Sequence, residues 1–408
     1  MKRSGFEPEY LAEQACKETA TRQMLSFILD PAAEADLQPE TGSSAAKSLQ
    51  VSLPKGGIGN DPLLSLRALP VDAIGGPSIF NWKNTDIYDI DGLLLFRDQT
   101  IDLDGDNEWR VRTAASNLLR NPVKSIHIGP ALDLKALKVK ALQEIQKYAN
   151  LIPLFVNDEE DVRLVCYSYP NLGILCHLTN SSEQFVIDIN RLEVIPVNSP
   201  QLSDNPESLT STWSPYDIVV RSTIAHLNQL WKRNIELLPS LPGNVEDLHR
   251  AVRDAKASIL EVHETDPPLS LIPQEDNHNC AAAAARMIFQ FHDIDKEERE
   301  IADSMHTGNN GATPEDQVNG INTLLGRSFR AELDPTATLS EAQTEIRANR
   351  PFKTGGSGHA RAVGGFRTDI GDQNWLHIYD PEPSHQGRIC VEAWDEQYNK
   401  NFIYIRSL

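Results

Sequence analysis

The stretch Pro273–His292, PQEDNHNCAAAAARMIFQFH, decides how the C-terminal part of the chain is read. Five consecutive alanines, Ala281–Ala285, followed by Met287, Ile288 and Phe291 form a run of strong helix propensity. Asn277 and Asn279 just upstream are of the type that caps helices. Cys280 is therefore expected at a helix N-terminus, where unpaired amides and the macrodipole favour a thiolate. Position alone equally describes a buried, inert cysteine that opens an apolar helix.

Downstream, GGSGHARAVGGF (355–366), RTDIGDQN (367–374) and WLHIYDPEP (375–383) read as two apolar strands around a Gly/Asp turn. His359 enters the first strand and Asp380 leaves the second, so a hairpin can bring the two side chains together. A cysteine at a helix start with a histidine and a carboxylate on neighbouring strands is what nucleophilic acyl transfer needs. Among alternative bases, His278 is two residues from Cys280 but diverges from it at a helix start, and His377 reads as a strand residue. His292 and His306 have no nameable partner, and Cys390 reads as packing.

In these residues the sequence resembles the papain-like cysteine peptidases, and within them the compact bacteriocin-processing, double-glycine type. The resemblance rests on Gln274 six residues before Cys280, the alanine-rich helix after it, Gly358-His359-Ala360 leading a strand, and Asp380-Pro381 ending the next. The stretch 306–326, with a Gly-x-x-Pro turn before a short helix, and the turn Asn349-Arg350-Pro351 are also similar to the family. What the resemblance implies is a catalytic set of Cys280, His359, Asp380 and Gln274. Cys280 would be the nucleophile, His359 the acid and base, Asp380 its orienting partner, and Gln274 with the Cys280 amide the oxyanion hole. Asn277, His278 and Asn279 before the cysteine, with no tryptophan directly after it, depart from the family and bear on specificity.

Working outward, 408 residues suffice for two or three domains. Thirty-eight Lys and Arg against 58 Asp and Glu leave a net charge of −20, which argues against nucleic acid or an anionic membrane as partner. The longest apolar stretch, 280–291, is too short to span a bilayer, and Glu7 and Glu9 interrupt any signal-peptide core. Five cysteines without a Cys-x-x-Cys pair suggest reduced, cytoplasmic thiols and no zinc site, although delivery into another cell as an effector fits the same features. Asp102, Asp104 and Asp106 start like a calcium loop, but Asn107 and Thr113 break the pattern, leaving a polar hairpin turn. No cofactor and no metal are expected. Lys55-Gly56-Gly57 lacks the helix a phosphate loop needs, whereas Gly56-Gly57 and Gly75-Gly76 read either as ordinary linker glycines or, as the resemblance implies, as paired glycines of the kind such peptidases cut.

The expected fold class is α+β: a papain-like domain whose N-terminal helix bears the nucleophile against an antiparallel sheet, with a separate N-terminal α+β region. Residues 1–78 read as a helix over 7–29 and an extended arm. Residues 79–200 read as an α+β domain with strands at 91–96, 108–113, 161–167, 173–177 and 184–189 and a helix at 132–148. Residues 201–265 read as a helical connector, with capping boxes at Ser214 and Asn244 and the second helix running to His263. Residues 266–408 are the peptidase-like domain. The expected function is cleavage of a peptide or amide bond through an acyl-enzyme, with acyl transfer, deamidation or a non-catalytic binding module as alternatives. The expected partner is a peptide or protein substrate, with intramolecular regulation by the N-terminal region.

Overall fold

The computed structural model describes residues 11–27, 49–50, 65–66, 82–90, 92–102, 107–115, 121–148, 163–177, 184–196, 236, 259–308, 311–356, 358–371, 373–394 and 400–408. The paired glycines, the capping box at Ser214, the start of the Asn244 helix and the turn that carries Asp104 and Asp106 lie outside these residues. The N-terminal helix is Glu13–Phe27, and within the expected arm Leu49–Gln50 (β1) and Ser65–Leu66 (β2) form a short antiparallel pair.

The strands expected in the next region appear as Leu94–Asp102 (β4), Asn107–Ala114 (β5), Arg163–Ser168 (β7), Asn171–His177 (β8) and Gln184–Asp188 (β9), and the helix as Leu134–Tyr148. Three further strands were not anticipated: Lys83–Tyr88 (β3), Val123–Pro130 (β6) and Val194–Pro196 (β10). β6 escapes a hydrophobic-alternation reading because it is buried on both faces, Lys124, Ser125 and His127 included. A strand in the middle of a covered sheet need not alternate.

In the C-terminal part, helices at Cys280–Phe291, Glu298–Ser304, Pro314–Leu325 and Leu339–Arg347 accompany six strands. These are Phe329–Asp334 (β12), Phe352–Gly356 (β13), His359–Asp369 (β14), Gln373–Asp380 (β15), Arg388–Ala393 (β16) and Lys400–Ser407 (β17). Local chemistry sets several boundaries. Thr313 caps the 314–325 helix by accepting from Asp316 N, with Pro314 in its first turn, and Thr338 with Glu341 forms a reciprocal capping box. The Asn349-Arg350-Pro351 turn leads into β13, so one strand intervenes before the histidine strand.

Ile259–Glu264 (β11) corrects the expectation of a helix running to His263. It pairs with Gly365–Asp369 of β14, while β13 pairs with the first half, His359–Val363. β11 thus takes over the edge that β13 leaves, and the backbone donors and acceptors of β14 stay satisfied.

The N-terminal α+β region and the C-terminal part share a sheet. Among the described residues, β3 to β17 form one sheet of fifteen strands, antiparallel except where β3 meets β7, and the two halves join where β6 pairs with β16. The Tyr169 hydroxyl donates to Glu392 Oε2 at 2.9 Å across the seam, and Glu392 also accepts from Arg361 Nη1 at 2.7 Å. Edge pairing of this kind satisfies two otherwise open sheet edges at once.

Candidate active site

Cys280 is the first residue of its helix, as expected, and Asn279 is the N-cap, but no side-chain capping bond is made there. The helix lies close on the sheet because its contact face is alanine. Ala281, Ala282, Ala284 and Ala285 pack in one cluster with Ala360, Ala362 and Tyr379 of β14 and β15. The first-turn amides, that of Cys280 included, lie where no intrahelical acceptor exists.

His359 and Asp380 are brought together by register. Tyr379 stands opposite Ala362, so Asp380 is a diagonal cross-strand neighbour of His359 on the same face. His359 Nε2 and Asp380 Oδ1 are 2.6 Å apart, both side chains fully buried. Gly358, which delivers the histidine strand, has φ +74°, a left-handed conformation that glycine adopts without strain. Arg388, opposite Asp380 on β16, donates to Asp380 Oδ2 from Nε at 2.8 Å, and the Glu382 amide donates to Oδ1 at 3.0 Å. With Nε2 so engaged, Nδ1 is the ring nitrogen left for Cys280, and it is buried without a hydrogen bond of normal geometry.

The electrostatics of the three groups reinforce one another. Burial alone would raise the Cys280 thiol, but the neighbouring His359 imidazole, then the charge of Arg191, bring it below its ordinary value, against a smaller push from Glu382. Burial alone would lower His359, yet the charges of Asp380 and Glu382, the bond to Asp380 and the neighbouring Cys280 thiol raise it to about 10. Burial would raise Asp380, but Arg388 and His359 hold it far below the usual carboxylate range. The directions are those of a thiol and an imidazole that stabilise each other's charged forms.

Gln274 is buried and its backbone is tied to the loop after Asp380: its amide donates to Pro381 O at 3.1 Å and its carbonyl accepts from His385 N at 2.9 Å. Its Nε2 donates to Ser384 Oγ at 3.2 Å, and Ser384 in turn donates to Asn277 Oδ1 at 2.9 Å. Gln274 is thus joined to the loop after Asp380 by backbone bonds as well as by its side chain.

Several groups at the site were not anticipated. Glu382, fully buried, lies with Oε2 3.8 Å from His359 Nδ1. Arg191, from the turn between β9 and β10, donates from Nε to Glu382 Oε1 at 3.1 Å. Lys353 is buried, bonded to Gln317 Oε1, and lowered to about 8 by burial against an opposing pull from Cys280. The second carboxylate in Asp380-Pro381-Glu382 was a visible signal, whereas nothing in the sequence around Arg191 points to a residue 89 positions away.

The alternative residues fall elsewhere. His278 pairs with Glu193 at 2.9 Å, His377 lies near Glu264 at 3.2 Å, and His292 packs against Phe291 and Phe329. Cys390 is buried on β16 with Sγ 2.9 Å from His127 Nδ1. Among the described residues no group of His, Cys, Asp and Glu is arranged to hold a metal, and no helix is long and apolar enough to cross a membrane. A cavity of about 290 Å³ opens at the seam between Arg110, His127, Lys140, Asn190 and Arg388. Cys280, His359 and Gln274 do not line it, so it is distinct from the space in front of the thiol.

No curated protein matches the chain. Residues 268–407, about a third of its length, match the model of the Peptidase_C39 like family, and they contain the cysteine helix, β12 to β17 and the whole His359–Asp380 hairpin. The C-terminal segment of this chain is thus similar to a papain-like cysteine peptidase domain.

Proposed function

We propose that the protein hydrolyses a peptide or amide bond with a Cys280–His359–Asp380 triad and an acyl-enzyme intermediate. The observation that carries this reading is the 2.6 Å bond from His359 Nε2 to Asp380, which leaves Nδ1 for a cysteine at a helix start. The Cys280 thiolate attacks the substrate carbonyl carbon, and the charge moves to the carbonyl oxygen. Gln274 Nε2, turned from Ser384, and the Cys280 amide are the donors suited to that oxyanion. As the C–N bond breaks, the proton on His359 Nδ1 passes to the leaving amine. Water then attacks the thioester, returns a proton to Nδ1, and expels the thiolate with a carboxylic acid product. Asp380 holds the tautomer and the imidazolium throughout.

The substrate is a peptide or protein; the net charge of −20 argues against nucleic acid or an anionic membrane. A cytoplasmic setting agrees with the five free cysteines.

Alkylation by iodoacetamide tests the reading without a known substrate. Mass spectrometry should find Cys280 reacting well below pH 7 in the wild type, with the profile moved to that of an ordinary thiol near 8.5 in His359→Ala. Identical profiles in the two proteins would refute the pair.

A further inference from the structure

Glu382 stands where the two halves of the chain meet. Its Oε2 is 3.8 Å from His359 Nδ1, the nitrogen that the proposed mechanism assigns to Cys280. A buried carboxylate there competes with the thiolate for the same proton. Closing on it would leave the imidazolium between two carboxylates, Asp380 at Nε2 and Glu382 at Nδ1, and withdraw it from the sulfur.

Both oxygens of Glu382 are instead engaged by the turn between β9 and β10. Arg191 Nε donates to Oε1 at 3.1 Å, and Asn190 Nδ2 donates to Oε2 at 3.2 Å. Arg191 Nη2 also donates to the carbonyl of Gly358 at 3.1 Å, the residue directly before His359. One guanidinium therefore fixes the competing carboxylate and the backbone that carries the base.

The turn is itself well braced. Asp188 Oδ1 accepts from the amides of Asn190 at 2.8 Å and Arg191 at 2.6 Å, while Tyr167 donates to Asp188 Oδ2 at 2.6 Å. On its far side Asn277, three residues before the nucleophile, donates to the Arg191 carbonyl at 3.4 Å. The family match starts at 268, so the turn lies outside the matched domain.

We propose that Arg191, with Asn190, is a positioning residue for the Cys280–His359 pair: by occupying Glu382 and anchoring Gly358 it keeps Nδ1 of His359 directed at Cys280. The region before residue 268 is then part of the active site, needed to activate the nucleophile. This rests on the cysteine-peptidase reading and extends it to residues that the family does not supply.

The test is the pH profile of iodoacetamide alkylation at Cys280 in the full chain, with thermal melting of each variant. The charged groups around the pair are Arg191, Glu382, Asp380, Arg388, Arg361 and Lys353, and only the first two are changed. Arg191→Ala is expected to raise the apparent thiol pKa by one unit or more, so alkylation at pH 6 slows by about tenfold or more. Arg191→Ala combined with Glu382→Gln removes the competitor as well and is expected to recover most of the wild-type rate. A folded Arg191→Ala variant with an unchanged profile overturns the proposal. So does a double variant as slow as the single one, because direct stabilisation of the thiolate or simple structural support would then account for Arg191. The double variant removes both partners of the buried pair, and its profile decides the matter even where the single variant does not fold. Failure of the underlying reading has another signature: the wild type itself titrates as a free thiol, or His359→Ala leaves its profile unmoved.

Discussion

Asp380→Asn is the most informative single change because the replaced carboxylate faces two cationic groups at known distances. Its oxygens lie 2.6 Å from His359 Nε2 and 2.7 Å from Arg388 Nη2. At an effective dielectric of about 20, a unit charge 2.6 Å away is worth about 6 kcal/mol, an upper bound that still equals several pKa units. Removing it is expected to bring His359 from about 10 back to or below its ordinary 6.5. The thiol then loses the imidazolium that outweighs its burial, and its pKa rises past the ordinary value. Each unit costs a factor of ten in thiolate at pH 6, so a loss of about a hundredfold or more in alkylation rate is expected. The same change strands Arg388 in the interior, at a cost of about 3–5 kcal/mol in urea unfolding. Adding Arg388→Gln should relieve much of that cost without restoring reactivity, which separates electrostatics from folding. If Asp380→Asn alkylates at pH 6 as fast as the wild type, Asp380 does not sustain the imidazolium and the reasoning fails.

Three further outcomes are expected. Gln274→Ala should lower kcat on any cleaved substrate by about 10²–10³ while leaving the alkylation profile of Cys280 in place, as expected for an oxyanion donor. In hydrolysis the alkaline limb should fall near pH 10, where His359 loses its proton, and the acid limb below the ordinary thiol value, where Cys280 gains one. Native alkylation near pH 7 followed by peptide mapping should label Cys280 ahead of Cys166, Cys176 and Cys390, whose buried thiols are pushed up to about 12, and denaturant should erase the difference.

The helix at Cys280 and the strands that start at His359 and end at Asp380 were legible because their signals are local. An alanine run propagates a helix wherever it sits, and a Gly/Asp turn between apolar runs makes a hairpin whose register then brings His359 beside Asp380. The Asn277–Asn279 cluster misled in detail: Asn279 is the N-cap but makes no side-chain capping bond, and Asn277 is spent on Ser384 and the Arg191 carbonyl instead. The stretch before His263 misled more, since the demand of β14 for an edge partner overrode its local reading as a helix.

What the sequence by itself determined was the chemistry on offer: a cysteine at a helix start, a histidine and an aspartate on adjacent strands, and a glutamine six residues upstream. What only the tertiary structure decided was the setting that tunes it. Val123–Pro130 joins Arg388–Ala393 in one sheet, and the turn between β9 and β10 sets Arg191 against Glu382 and Gly358. The reason is physical. Helix starts and hairpins are set by interactions within a few residues, whereas the partner of a buried charge is chosen by desolvation, which acts on whichever groups the packed chain encloses together.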